Sequence, residues 1–210
     1  MLLYLFLAVL VFVVLGVISS PKFKGKVGES IVHLHYKKYL DNDKYVLINN
    51  CTLPTSHGGT TQIDHILLSP YGIFVLETKN YKGWIFGDKF QKQWTQSFPK
   101  SKHRFQNPLH QNYKHTKVLG ELLESQMNFD LNHLYSVIIF VGECEFKTDM
   151  PENVLRGKAW VNYVKQFDTP RLSMVAVRKA QYLIEQQLLE RGRKTDRLHV
   201  KNLKTAHQGK

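Results

Sequence analysis

The chain has 210 residues, 43% of them hydrophobic, which allows one domain with a buried core and a short terminal segment. Lysine and arginine total 29 against 17 acidic residues, a formal charge of +12 that favours an anionic partner, either nucleic acid or a phospholipid surface. Two cysteines far apart, Cys51 and Cys144, exclude a disulfide framework and paired thiolate ligands.

Residues 1–18 contain no charged side chain. A helix there would be roughly 27 Å long, just enough to span a bilayer. The basic residues Lys22, Lys24 and Lys26 follow this stretch instead of preceding it, so the positive-inside rule predicts an uncleaved, single-pass anchor with the rest of the protein in the cytoplasm. The small residues Val17 and Ser19 leave a cleavable signal open. Residues 21–26, opened by Pro21, read as a juxtamembrane linker. Over residues 27–40, Glu29, Val32, Tyr36 and Leu40 recur at helical steps and share one face. The Asp41-Asn42-Asp43 cluster breaks that pattern, and residues 45–49 suit a first strand.

Residues 62–69 and 73–79 are β-branched-rich runs separated by Pro70-Tyr71-Gly72, which predicts a hairpin. Residues 81–94 suit a further hairpin or a strand and a loop, and residues 97–103 are polar and basic. A long helix is expected over residues 107–127, with Gln111, His115, Val118 and Leu122 on one stripe. Residues 135–141 are apolar on both faces, as in a central buried strand. Residues 159–164 read as a weaker strand, and Thr169 with Pro170 as the start of a last helix that ends near Gly192. Residues 191–210 hold seven lysines and arginines against Asp196 alone and read as a basic flexible tail. The order predicts an α/β domain with a mixed central sheet flanked by helices.

If Ser69 pairs with Gly72, Asp64 lies opposite Glu77 with Cβ atoms about 5 Å apart, an arrangement that is costly unless a cation sits between them. A bulge at Gly72 would instead place Thr78 opposite Asp64. Magnesium is commonly held by one or two carboxylates, and Lys79, two residues beyond Glu77, shares its face.

The runs Gly28-Glu29, Thr61-Gln62-Ile63-Asp64-His65, Gly72 to Gly83 with its Glu77-Thr78-Lys79 core, then Trp94, Asn107-Pro108 and Gln111 resemble the nuclease-related domain family over residues 26–123. The resemblance implies a restriction-endonuclease-like core, here preceded by one transmembrane helix, that binds Mg²⁺ or Mn²⁺ and hydrolyses phosphodiester bonds in DNA or RNA. It further implies that Asp64, Glu77 and Glu29 hold the metal, that Lys79 positions the attacking water, and that Gln111 is the polar residue of the following helix. Isoleucine stands before Asp64 where many such nucleases have proline. The chain then divides into an anchor (1–20), a linker (21–26), the nuclease-related domain (27–190) and the tail (191–210).

Other readings compete. A catalytically silent module that tethers nucleic acid or a protein at the membrane would keep the same fold. Glu29 also suits the positive end of a helix dipole. Zinc is disfavoured because His33 and His35, two apart on a helix, point to different faces; His65, which faces away from Asp64 in the strand, suits a structural hydrogen bond better than catalysis. Trp84, Trp94 and Phe98 near Lys100, Lys102 and Arg104 have the composition of a base-stacking surface or of core plus solvated loop.

Overall fold

The computed structural model describes residues 2–189, so the basic tail lies outside the described residues. The apolar amino-terminal stretch forms a helix, α1 (Leu2–Ser19), with Tyr4, Phe6 and Phe12 exposed along it. Ser20 caps the next helix, α2 (Pro21–Tyr39), by accepting the Phe23 amide at 3.3 Å. The segment expected as a linker is therefore the start of α2. Pro21 occupies the first helical position, where a missing N–H costs nothing. No single helix among the described residues is long and apolar enough to cross a membrane. Tyr4–Ser19 and Pro21–Tyr39 reach that length and composition together, bent by 58°, a composition that a signal sequence shares.

Three antiparallel strands follow: β1 (Val46–Pro54), β2 (Thr60–Ser69) and β3 (Gly72–Lys79). β4 (Gly83–Phe86), β5 (Gln93–Phe98) and β6 (Ser101–Gln106) form a second antiparallel set, the last of them built from the polar, basic stretch. Asn107 caps α3 (Pro108–Met127) by accepting the Leu109 amide at 2.9 Å. After β7 (Leu134–Phe140) come two three-residue strands that the sequence did not announce, β8 (Cys144–Phe146) and β9 (Val154–Arg156). They are too short to display a period.

Two expectations are corrected at the carboxyl-terminal end. Residues 159–164 are helical, within α4 (Ala159–Lys165), because Trp160, Val161 and Val164 bury together at helical spacing. The last helix, α5 (Met174–Gln187), is capped by Ser173 and not by Thr169. The amides of Arg171 and Leu172 both donate to the Pro70 carbonyl, at 2.7 and 2.9 Å, which holds that segment against the β2–β3 turn and delays the helix.

The result is an α/β fold with two mixed sheets and flanking helices. The larger sheet has the order β1-β2-β3-β7-β9, antiparallel up to β3 and parallel beyond it. α3 and α5 cover one face, where Leu119, Leu123, Val177 and Ile184 meet Ile66, Leu68 and Val75. α2 and α4 cover the other, through Val32, Trp160 and Val164 against Leu67, Phe74 and Leu76. A strand covered on both faces must be apolar on both, which is why β2, β3 and β7 read as near-continuous hydrophobic runs. The smaller sheet, ordered β6-β5-β4-β8, docks through Ile85 and Trp94 on Ile138 and Phe140; the Trp94 and Phe140 rings stack with centroids 6.2 Å apart.

Candidate active site

The β2–β3 hairpin is paired from Ser69–Gly72 to His65–Leu76, and beyond that the two strands part. β2 stays with β1 as far as Thr60, and β3 stays with β7 as far as Lys79, so the polar residues sit where one ladder opens into two. The register is the one without a bulge at Gly72, and its last pair, His65–Leu76, stands one residue short of Asp64 and Glu77. The ladder between β1 and β2 also omits Asp64, passing from Asn49–His65 to Cys51–Ile63, and the opposing Asn50 has φ 52°. Asparagine tolerates this left-handed conformation, and the local break frees the Asp64 position from regular pairing. The Asp64 carboxylate instead accepts the Thr78 amide at 2.8 Å.

Glu77 and Lys79 point toward α3. Lys79 Nζ lies 2.7 Å from Glu77 Oε1 and donates to Gln111 Oε1 at 3.0 Å. The other Glu77 oxygen, Oε2, is 3.4 Å from His115 Nε2 yet has no hydrogen-bond partner, although Glu77 is only 2% exposed. His115 Nδ1 meets Thr61 Oγ1 at 2.6 Å, which fixes the imidazole between β2 and β3. Asn112, fully buried, anchors this part of α3 by donating to Val75 O and Ser136 Oγ, each at 2.8 Å. Gln111 and His115 are thereby held over β3 by a neighbour bonded to its backbone.

The electrostatics follow from two carboxylates sharing one ammonium. Burial, and then the charge of Glu77, push Asp64 well above the ordinary carboxylate range. Burial would also raise Glu77, but the Lys79 ammonium and His115 outweigh it and hold Glu77 low. Burial opposes the charge on Lys79, and Glu77 overrides it, so the ammonium is retained. Glu29 approaches from the α2 side, raised by burial and further by Glu77, against the opposing Lys26. It lines a hollow of about 480 Å³ with Lys26, His33, Asn49 and His65. Gly28 permits the approach of α2: a Cβ there would meet Asn80 Cβ at 3.1 Å and Thr78 Cγ2 at 3.2 Å.

The structure thus brings Asp64, Glu77, Lys79 and Gln111 together and places Glu29 across the sheet, near enough for its charge to be felt by Asp64. Two further residues, His115 and Thr61, join the group. His115 shares the helical stripe of Gln111, so its face was readable; its contact with Glu77 was not. Among the described residues no group of three or more His, Cys, Asp or Glu side chains stands together as a metal cage. Magnesium asks for less than that from a protein, and hard oxygen donors are what Asp64 and Glu77 offer. The buried Glu77 Oε2, which accepts no hydrogen bond and has only the His115 contact at 3.4 Å, and the mutual repulsion of the two acids are the features a divalent cation would relieve.

The chain belongs to the nuclease-related domain family, whose model matches residues 24–141. That span holds all six of the residues just described, together with Glu29. The chain is 50% identical over 107 residues to an uncharacterized protein of Bacillus anthracis, a match covering 51% of this chain and 50% of that protein. The chain therefore spans about half the length of the curated relative it matches. No solved structure matches it.

Proposed function

We propose that this protein is a metal-dependent nuclease with a restriction-endonuclease-like core, which hydrolyses phosphodiester bonds in DNA and is held by its first helix at the cytoplasmic face of a membrane. The observation that carries the reading is the buried Glu77 carboxylate, with one oxygen paired to Lys79 and the other, 3.4 Å from His115, accepting no hydrogen bond, close to Asp64 where β2 and β3 part. Asp64 and Glu77, with Glu29 from α2, are the residues that would hold Mg²⁺ or Mn²⁺. When bound, such an ion supplies charge stabilisation at phosphate oxygens. Lys79 holds the attacking water against the phosphorus and donates to the phosphate as charge grows there. Gln111 keeps the ammonium aimed, and His115 keeps Glu77 from rotating toward Lys79 with both oxygens.

The same reading assigns residues 1–20 to the anchor, 21–26 to its juxtamembrane continuation, 27–190 to the nuclease-related domain and 191–210 to a basic tail. The anchor rests on the uncharged α1 and on Lys22, Lys24 and Lys26 immediately after it, placed to meet anionic head groups. Resistance of the full chain to alkaline extraction from membranes is expected, and complete release would remove the anchor from the reading.

The enzymatic test uses the full chain in detergent with end-labelled DNA and Mg²⁺ or Mn²⁺. Asp64→Ala and Lys79→Ala should each lower cleavage by at least about 100-fold. Equal cleavage by the wild type and both variants overturns the assignment. Salt-sensitive binding that needs no divalent ion and survives Glu77→Ala, with no cleavage by any form, would instead identify a tethering module.

A further inference from the structure

The smaller sheet has one face buried and one face open, and the open face carries a particular set of side chains. β4 turns Ile85 into the core and Trp84 and Phe86 outward, 41% and 38% exposed. Across from them on β5 stand Ser97 and Thr95, and across from those on β6 stand Lys102 and Arg104, in register. These residues line a hollow of about 860 Å³. Lys147, beyond β8, lies 5.4 Å over the Trp84 ring. The acid on this face, Glu145, is paired with Lys147 at 2.6 Å.

This hollow adjoins the candidate active site. Phe98 at the end of β5 lines both it and a second hollow, of about 570 Å³, whose wall includes Lys79, Thr78 and Lys82. Gly83 has φ 78°, and a Cβ there would come within 2.9 Å of the Phe98 ring, so the glycine lets that ring lie on the β4 backbone between the two hollows. Phe98, whose side chain has the parity of Gln96 and not of Ser97, thus stands at the rim between the open face of Trp84 and Phe86 and the hollow of Lys79 and Lys82.

From this we infer that the open face of the smaller sheet is a binding platform for single-stranded nucleic acid, on which unpaired bases stack over Trp84 and Phe86 while Lys102 and Arg104 hold the phosphates, the strand passing round the sheet edge at Phe98 toward Lys82 and the Lys79 site. The inference rests on the nuclease reading for the direction of the path and not for the binding itself. Exposed aromatic faces are of use to bases that have left their stack, whereas a duplex offers phosphates and base edges. Side chains two apart on one strand stand about 6.8 Å from each other, so Trp84 and Phe86 can take successive unstacked bases. Cations interleaved with the rings, and hydroxyls of Thr95 and Ser97 beneath them, suit a polyanion with π-faces better than a lipid tail.

Binding of a fluorescent oligothymidylate of about ten nucleotides to the full chain in detergent, with EDTA present, tests this without any cleavage. Because Trp94 and Trp160 are fully buried, quenching of tryptophan emission on binding reports Trp84. Trp84→Ala with Phe86→Ala should weaken binding by about 30-fold or more, and Trp84→Phe should restore most of it. Lys102→Glu with Arg104→Glu, at exposed positions that leave the fold intact, should weaken it at least as much and flatten its salt dependence. Unchanged affinity in both double variants overturns the inference, as does an aromatic variant that weakens a blunt duplex equally. Emission that shifts with anionic vesicles but not with the oligonucleotide would assign the face to a membrane and also overturn it. If the oligonucleotide binds as expected while no form of the protein cleaves DNA, the platform stands and the nuclease reading falls.

Discussion

The two ends of the β2–β3 hairpin have opposite chemistry. At the closed end, Leu67, Leu68, Ile73 and Phe74 are fully buried, and the turn is tied by Ser69 Oγ, which donates to Gly72 O at 2.9 Å. At the open end β2 and β3 part and present Asp64, Glu77 and Lys79. The comparison teaches that one supports the other. Packing over-determines the register at the turn, and that register brings two carboxylates close enough to repel some five residues away, where local preference alone would separate them.

The sharpest way to break the comparison is to loosen the closed end. Phe74 stacks on Tyr135 at 5.1 Å and meets Phe167 edge-on at 5.2 Å, so it joins β3, β7 and the segment after α4. Phe74→Ala should lower the unfolding free energy by about 3–5 kcal/mol, measured by urea titration. Metal-dependent cleavage per folded molecule should change far less than in Lys79→Ala. A comparable loss of cleavage at saturating folded fraction would show that the two ends are not separable.

The hairpin was legible in the sequence because Pro70-Tyr71-Gly72 is a strong turn signal and the flanking runs are apolar on both faces. Its register, with Ser69 against Gly72, is the one the sequence offered, and it runs without a bulge to His65–Leu76, where the ladder ends one step short of Asp64 and Glu77. The release of Asp64 from regular pairing was not legible, since it depends on Asn50 adopting φ 52° in a strand whose own expected end was Asn49. Nor could the Thr61–His115–Glu77 chain be read. It joins residues 54 apart in sequence, brought together by packing alone. The α4 segment misled because Val161, Tyr163 and Val164 are strand-favouring types, and tertiary burial at helical spacing prevailed over that preference. The cap at Ser173 was displaced from Thr169 by hydrogen bonds to Pro70, again a contact that no local pattern contains.

A smaller effect sharpens the closed end through pH. Tyr45, beside the Tyr71 ring at 5.8 Å, has its phenol pushed up to about 12 by burial, with Tyr71 and Asp41 adding to it. The unfolded chain loses this proton near its ordinary value of about 10, while the folded protein keeps it. Between those values the folded state binds more protons, so stability is intact below about pH 10 and falls as pH rises toward about 12. The full shift corresponds to about 3 kcal/mol, of which about 1.5 kcal/mol is lost between about pH 8 and pH 11. Urea midpoints at about pH 8 and pH 11 should converge in Tyr45→Phe relative to the wild type; identical slopes would remove the phenol from the account.

The smallest stability change tests the open end most directly, because its sign runs against habit. Asp64 is raised because burial and Glu77 both disfavour its charge, so above the ordinary carboxylate range this acid works against folding. Asp64→Asn keeps an oxygen for the Thr78 amide and removes the repulsion. In EDTA the variant should be more stable than the wild type by about 1 kcal/mol, read from the urea midpoint at constant m. With magnesium the order should shrink or reverse, since ligand binding stabilises only the form that keeps both donors. Cleavage should fall at the same time, the combination expected where a fold holds unfavourable charge for chemistry and not for its own stability. If Asp64→Asn were instead less stable in EDTA, the carboxylate would be an ordinary structural acceptor for Thr78, and the case for a cation between the two strands would lose its electrostatic basis.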